Sequence, residues 1–195
     1  MAFLGFLSCR MKRGPALHFL PLLALGAFLA RGAALAQEVP SKEYEIKAAF
    51  LYNFVQFVKW PPSAFASSDA PLCIGVLGDD PFEGALDDTI RGEAVNGHKL
   101  VLLRSHNIDD LRGCQMIFVA RSEKGDTAQI LAAVNSRPIL TVSEIDHFAQ
   151  EGGDIDFYLS SGKVRFDINP GAARHGGLQI SSQLLALGRI VGGDN

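Results

Sequence analysis

Leu72-Cys73-Ile74-Gly75-Val76-Leu77-Gly78-Asp79-Asp80-Pro81-Phe82-Glu83 is the stretch on which the fold turns. Its first six residues are almost unbroken apolar, the signature of a strand buried on both faces, as in a parallel sheet. The residues behind them read as a helix start, with Asp80 as N-cap, Pro81 at the first helical position and Glu83 at the third. The same unit recurs downstream. Asn96-Gly97 is a turn signal before a second strand, Leu100 to Leu103. A polar stretch from Ser105 to Arg112 leads to a third strand, Cys114 to Ala120. Thr127 to Val134 is helical, Pro138 to Val142 is a fourth strand, and Ser143 caps a short helix ending at Gly152-Gly153. Strands alternating with helices imply a mostly parallel sheet flanked by helices on both faces.

Upstream, Ser41 to Lys59 reads as a helix. Ser41 caps it, Glu43 and Glu45 suit its positive end, and Ile46, Phe50, Phe54 and Phe57 recur at helical spacing. An apolar face this wide predicts burial on most sides, and Trp60-Pro61-Pro62 ends the run. Downstream the pattern changes. Asp154 to Leu159 and Lys163 to Ile168 flank Ser160-Ser161-Gly162, a C-terminal β-hairpin added to the sheet. Asn169-Pro170 opens a short helical turn broken by Gly176-Gly177, and Ser181 or Ser182 begins a final amphipathic helix through Val191. The fold class is α/β, in one domain spanning residues 37–195.

Residues 1–36 read as an export signal: a basic start (Arg10, Lys12, Arg13), an apolar run from Leu17 to Ala30, and Ala34-Leu35-Ala36 before a cleavage at Gln37. That run falls short of the roughly 20 residues a membrane-crossing helix needs. The leader removes four of the 18 basic residues (Arg10, Lys12, Arg13, Arg31) and none of the 21 acidic ones, so the mature chain has 14 against 21, a net charge of −7. Such a balance with no basic cluster argues against nucleic acid as a partner, because phosphate neutralisation supplies most of that affinity.

Cys9 leaves with the leader, so Cys73 and Cys114 remain. A lone pair in an exported chain reads as a disulfide, contributing on the order of 4 kcal/mol across a loop of about 40 residues. Two free thiols or half of a metal site are the alternatives. His98, His106, His147 and His175 show no grouping at metal-ligand spacing. Both cysteines open their strands, and in a strand order of 2-1-3-4 those strands are neighbours, close enough to bridge.

Motifs that carry chemistry are few. Gly78-Asp79-Asp80 follows the first strand, where α/β folds bind ligands, and two carboxylates there suit Mg²⁺. The aspartate that a phosphoacceptor domain places after its third strand is missing near Ala120, and capping by Asp80 accounts for the acid. Neither a Gly-x-Ser-x-Gly elbow nor a His-Glu-x-x-His motif occurs. No catalytic residue, metal or cofactor is assigned, and the expected mode of action is binding.

Several segments together resemble the YfiR family. They are Lys47-Ala48-Ala49-Phe50-Leu51-Tyr52-Asn53-Phe54 with Phe57-Val58-Lys59-Trp60-Pro61, then Gly113 to Val119, Ile139 to Ser143, and Gly162 to Asn169 continuing to Gly177-Leu178-Gln179-Ile180-Ser181-Ser182-Gln183-Leu184-Leu185. The resemblance covers about residues 43 to 191. It implies a periplasmic protein that binds the periplasmic domain of an inner-membrane diguanylate cyclase and holds it inactive, lowering cyclic-di-GMP and biofilm formation. An OmpA-like outer-membrane lipoprotein is the implied sequestering partner. The family's disulfide positions match Cys73 and Cys114, while a second cysteine pair of better-known members is missing here. For docking, the expected contacts are Phe157, Phe166 and Ile168 as apolar anchors, Arg165 and Asp167 as polar partners, and Trp60 as a rival. Alternation puts Arg165 and Asp167 on one side of their strand and Phe166 and Ile168 on the other. A small-ligand sensor or solute-binding lobe is the second reading, motivated by the Gly78-Asp79-Asp80 loop. A small-molecule ligand and a homodimer stay open alongside either reading.

Overall fold

The computed structural model describes residues 42–192, which lie within the compact unit Val39–Asn195. The leader expected over residues 1–36 and the cap expected at Ser41 lie outside the described residues.

The described residues open with helix α1 (Lys42–Phe57), which passes directly into β1 (Val58–Lys59). Ala48, Leu51, Phe54 and Val55 form its buried stripe, whereas Ile46 remains 41% exposed. The helix is therefore one-sided, not buried on most sides: it covers a single face of the sheet and turns its outer edge to solvent. Strand β2 (Leu72–Leu77) falls where the apolar run predicted.

The helix start expected at Asp80 is a correction. Asp80 Oδ1 accepts a hydrogen bond from the Phe82 backbone N–H at 2.8 Å, an Asx turn, and Glu83 and Gly84 have φ of 48° and 94°. A left-handed pair cannot continue a right-handed helix, so α2 (Ala85–Ile90) begins only beyond it. Asn96-Gly97 does turn the chain, with φ of 53° and 90°, joining β3 (Ala94–Val95) to β4 (His98–Ser105) as a hairpin. Within the polar stretch lies the one-turn α3 (Ile108–Leu111), capped by Asn107, followed by β5 (Met116–Val119). Helix α4 (Thr127–Val134) matches its expected bounds and precedes β6 (Leu140–Ser143).

A second correction concerns Ser143, which caps no helix. It is the last residue of β6, its hydroxyl donates to the Val119 carbonyl at 2.8 Å and accepts from the Ile145 N–H at 3.0 Å, and residues 144–152 form turns. Strands β7 (Ile155–Ser160) and β8 (Lys163–Ile168) form the expected hairpin, with Ser161 and Gly162 at φ of 51° and 70°. Then come α5 (Pro170–His175), capped by Asn169, and β9 (Gln179–Ile180), which pairs antiparallel with β1.

The last expected helix stops early. Ser181 caps it as predicted, but α6 spans only Ser182–Leu185, and β10 (Arg189–Ile190) follows. Gly188 explains the break: a Cβ there would lie 2.7 Å from Phe166 and 2.8 Å from Ile168, so the backbone lies directly on β8. Arg189 then pairs with Asp167 across the new ladder.

The main sheet has eight strands in the order β10-β8-β7-β6-β5-β2-β4-β3. Strands β4, β2, β5, β6 and β7 run parallel, so the parallel strands show the expected 2-1-3-4 order at their centre. The β7–β8 pair is antiparallel. Each face has its own core. One contains Ile74, Val76, Met116, Phe118, Val142, Phe157 and Phe166 under α1 and α2. The other contains Leu77, Ile117 and Val119 with Leu111 of α3, Ile130 and Val134 of α4, and Phe148. Successive residues of β5 thus serve opposite cores, the period-two rule of a strand buried on both sides. Cys73 and Cys114 are joined in a disulfide with their Cα atoms 4.5 Å apart. It clips β2 to the entry of β5 at the start of the parallel strands.

Candidate functional site

Two regions concentrate polar groups. The first lies past the carboxyl ends of β2, β5 and β6, at the point where the strand order reverses, the usual ligand crevice of an open α/β sheet. A cavity of about 770 Å³ there is lined by Tyr44, Asp79, Asp80, Arg121, Ser122 and Glu144, among others. At its base, Lys47 is held at 2.5 Å from Glu144 and at 2.5 Å from Glu43. Both Lys47 and Glu144 are buried. The Tyr44 hydroxyl donates to both Glu144 carboxylate oxygens at 3.2 Å, and Lys47 Nζ lies 4.6 Å from the Tyr44 ring centroid. Arg121 donates to the Glu144 carbonyl at 3.2 Å and brings its Nε to 3.9 Å from the carboxylate. Burial, followed by the Glu144 charge, pushes the Tyr44 phenol up to about 12, so it stays a hydrogen-bond donor at any physiological pH. The network locks α1 to the loop after β6. Sequence reading passed over Lys47 and Glu144. The signal was present, because a lysine inside the apolar stripe of a helix has to find a buried partner.

The Gly78-Asp79-Asp80 loop sits on the rim of this cavity. Asp80 Oδ2 takes the Arg104 Nε–H at 2.6 Å, and the same guanidinium reaches Asp87 Oδ2 at 2.5 Å. The hydrogen bond from Arg104 is the main cause holding the Asp87 carboxyl below its usual range. Asp80 is therefore occupied by a turn N–H and an arginine. Among the described residues, no group of three or more His, Cys, Asp or Glu side chains is placed to hold a metal ion. Elsewhere, Ser136 Oγ lies 3.0 Å from His175 Nε2, but this pair is exposed.

The second region is the β7–β8 ribbon with β10 on its outer side, where five of the six expected docking residues fall. Phe157 (3% exposed), Phe166 (4%) and Ile168 (0%) belong to the core beneath α1, with Phe54 stacked on Phe157 at 5.6 Å and edge-on to Phe166 at 5.1 Å. Asp167 is buried on the opposite face, where Arg189 grips both of its carboxylate oxygens and Gln150 donates at 3.1 Å. Arg165 is exposed. Trp60 is half-buried at a distance from this group, donating its indole N–H to the Gln115 carbonyl at 2.9 Å. Gln115 also accepts from the Cys73 N–H at 2.8 Å and donates to the Ala64 carbonyl at 2.6 Å, so it secures the segment around the disulfide. The structure therefore gathers the hairpin residues on one ribbon, splits them between its faces, and sets Trp60 apart. Leu187 (64% exposed) and Ile190 (47%) extend that ribbon with apolar surface that sequence reading placed inside a helix.

A mixed sheet that turns from parallel to antiparallel in its C-terminal half, clipped by one disulfide at its strand-start edge, defines the class: a disulfide-bonded α/β domain. Within that class the chain belongs to the YfiR/HmsC-like family, whose family model matches residues 44–189. No curated protein matches the chain. Among solved structures, the chain is similar to a conserved domain protein from Vibrio cholerae O1 biovar El Tor. The TM-score is 0.49 and the identity 14%, over 75% of this chain and 59% of that one. The chain thus spans less than two thirds of that protein's length. No helix among the described residues is long and apolar enough to cross a membrane.

Proposed function

We propose that this protein acts in the bacterial periplasm as a non-catalytic regulator that binds the periplasmic domain of an inner-membrane diguanylate cyclase and holds it inactive. Membership of the YfiR/HmsC-like family over residues 44–189 carries this reading. The disulfide between Cys73 and Cys114 supports it, because such bonds persist in oxidising compartments. An OmpA-like outer-membrane lipoprotein that withdraws the regulator from the cyclase completes the scheme.

Docking, in this reading, uses the ribbon and the C-terminal edge. Strand β10 is an edge strand, and exposed Leu187 and Ile190 beside Arg165 supply apolar anchors with a polar rim. Phe157, Phe166 and Ile168 contribute by shaping the ribbon from beneath, and Asp167 by fixing β10 through Arg189. Trp60, outside the ribbon, is the rival contact. Co-purification of the mature protein with the periplasmic domain of the cyclase, paired with cyclic-di-GMP measurement in a deletion strain, tests the proposal. Complex formation and a rise in cyclic-di-GMP on deletion are expected. A deletion that leaves cyclic-di-GMP unchanged, together with no binding, overturns it.

The cavity at the strand-order reversal favours a second reading as a small-ligand sensor. A thermal-shift screen against metabolites distinguishes the two, since a sensor gains stability from at least one of them.

A further inference from the structure

Asp154 immediately precedes β7 and is 5% exposed. Its hydrogen bonding is one-sided. The Thr141 N–H and the Thr141 hydroxyl both donate to Oδ2, at 2.7 and 2.8 Å, and among the described residues nothing donates to Oδ1. That oxygen is not sealed in. Asp156 Oδ1 is the one side-chain polar atom among the described residues that is both occluded and without a partner, so Asp154 Oδ1, equally without a partner, is accessible. It meets a cavity of about 320 Å³ that Asp154 lines near the starts of β6 and β7. Burial is the largest influence on this carboxyl, and no cation of the chain offsets it.

The walls of the cavity supply further recognition. Leu131, Val134 and Ile139 give it an apolar side. Leu131 and Val134 belong to the last turn of α4, so the partial negative charge of a helix C-terminus adds to that of Asp154. On the rim, Arg137 is exposed, and its side chain has neither an ion pair nor a hydrogen bond among the described residues. Beside it in the chain, Ser136 Oγ lies 3.0 Å from His175 Nε2, which ties the ends of α4 and α5 together at the same cavity. A simple anion would meet the Asp154 carboxylate, and a simple cation would leave Arg137 unanswered. A metal ion is disfavoured, because the described residues hold no group of three metal-ligating side chains. A compact molecule charged oppositely at its two ends answers both groups through charge-assisted hydrogen bonds.

We propose that this cavity is a binding site for a small zwitterion, whose primary ammonium group donates to Asp154 Oδ1 and whose anionic group lies against Arg137. The site is separate from the crevice at the strand-order reversal and does not depend on the cyclase reading.

Titration calorimetry and thermal shift on the purified mature protein test it with glycine, β-alanine and 4-aminobutanoate, a series that varies the separation of the two charges. Propylamine and propanoate, each with only one of the charged groups, are the controls. At least one member of the series is expected to bind saturably at one site and raise Tm, with both controls at least tenfold weaker. Asp154→Asn is expected to weaken that binding at least tenfold. Arg137→Gln, at an exposed position, is expected to weaken it to a similar degree with the Tm of the free protein unchanged. Arg91→Gln, which removes the same charge from an exposed position at the end of α2, is expected to bind as the wild type does. No binding by any of the series at millimolar concentration, equal binding of either control, or wild-type affinity in Arg137→Gln or in a folded Asp154→Asn each overturns the proposal.

Discussion

Lys47 shows what one misplaced charge can do. It occupies a core position of α1, 2% exposed, and survives there because Glu144 and Glu43 reach it. Removing one partner of a buried ion pair strands the other, so Lys47→Ala is expected to destabilise the fold by about 3 kcal/mol in urea denaturation. A double replacement, Lys47→Met with Glu144→Leu, is expected to recover most of that loss. Asp154 makes a different argument. Almost wholly buried, it accepts from the Thr141 N–H at 2.7 Å and the Thr141 hydroxyl at 2.8 Å, yet desolvation outweighs both and pushes its carboxyl up from 3.8 to about 6. The folded protein thus binds this proton more tightly than the unfolded chain. Its contribution favours folding at pH 4 and is lost as the pH rises through 6, a difference of about 3 kcal/mol. Wild type minus Asp154→Asn, compared by denaturation between pH 4 and pH 7, is expected to show that slope; parallel curves would contradict it.

At the scale of elements, the disulfide and the last strand decide how the sheet is held at its two ends. Cys73 and Cys114 are 41 residues apart, a loop whose closure is worth about 4 kcal/mol in the chain-entropy model. Cys73→Ala with Cys114→Ala is expected to lower the urea midpoint accordingly. The same loss is expected when the wild type is denatured under a thiol reductant, and the double variant is expected to be insensitive to the reductant. At the other end, Gly188 lets the backbone lie on Phe166 and Ile168 before β10 joins β8. Gly188→Ala is expected to cost about 1–3 kcal/mol by overpacking and to increase amide exchange at Arg189 and Ile190, whose pairing with β8 it disturbs. Most elements were legible in advance: β2, α4 and the β7–β8 hairpin, each marked by a continuous apolar run, helical periodicity or a turn dipeptide. The misses share one cause. The starts of α2 and of the segment after β6 were read from local capping chemistry, and the end of α6 from an amphipathic pattern running on to Val191. Asp80, Ser143 and Gly188 were instead committed to a turn, a strand end and a close approach.

Across the whole molecule, the two faces of the ribbon divide the labour. Its inner face joins the aromatic core of Phe50, Phe54, Phe157 and Phe166, and its outer face carries Asp156, Asp167 and Arg189. The exposed edge beyond it suits a partner. If the proposed cyclase is that partner, Leu187→Ser with Ile190→Asp is expected to weaken its binding more than tenfold with Tm changed by only a few degrees, and Arg165→Glu to slow association more than it speeds dissociation. Surface plasmon resonance against the cyclase's periplasmic domain reads both effects. Retained affinity in the double variant would shift the docking face toward Trp60.

The sequence alone determined the α/β class, the strands that carry Cys73 and Cys114, the hairpin and the family motifs. Each of these follows from periodicity, turn residues or spacing, which are properties of neighbours along the chain. Only the tertiary structure decided that Lys47 meets Glu144, that Asp154 keeps one oxygen open to a cavity, and that Leu187 and Ile190 border an edge strand. Those outcomes depend on which groups distant in sequence come to share a low-dielectric space, and no local pattern specifies that.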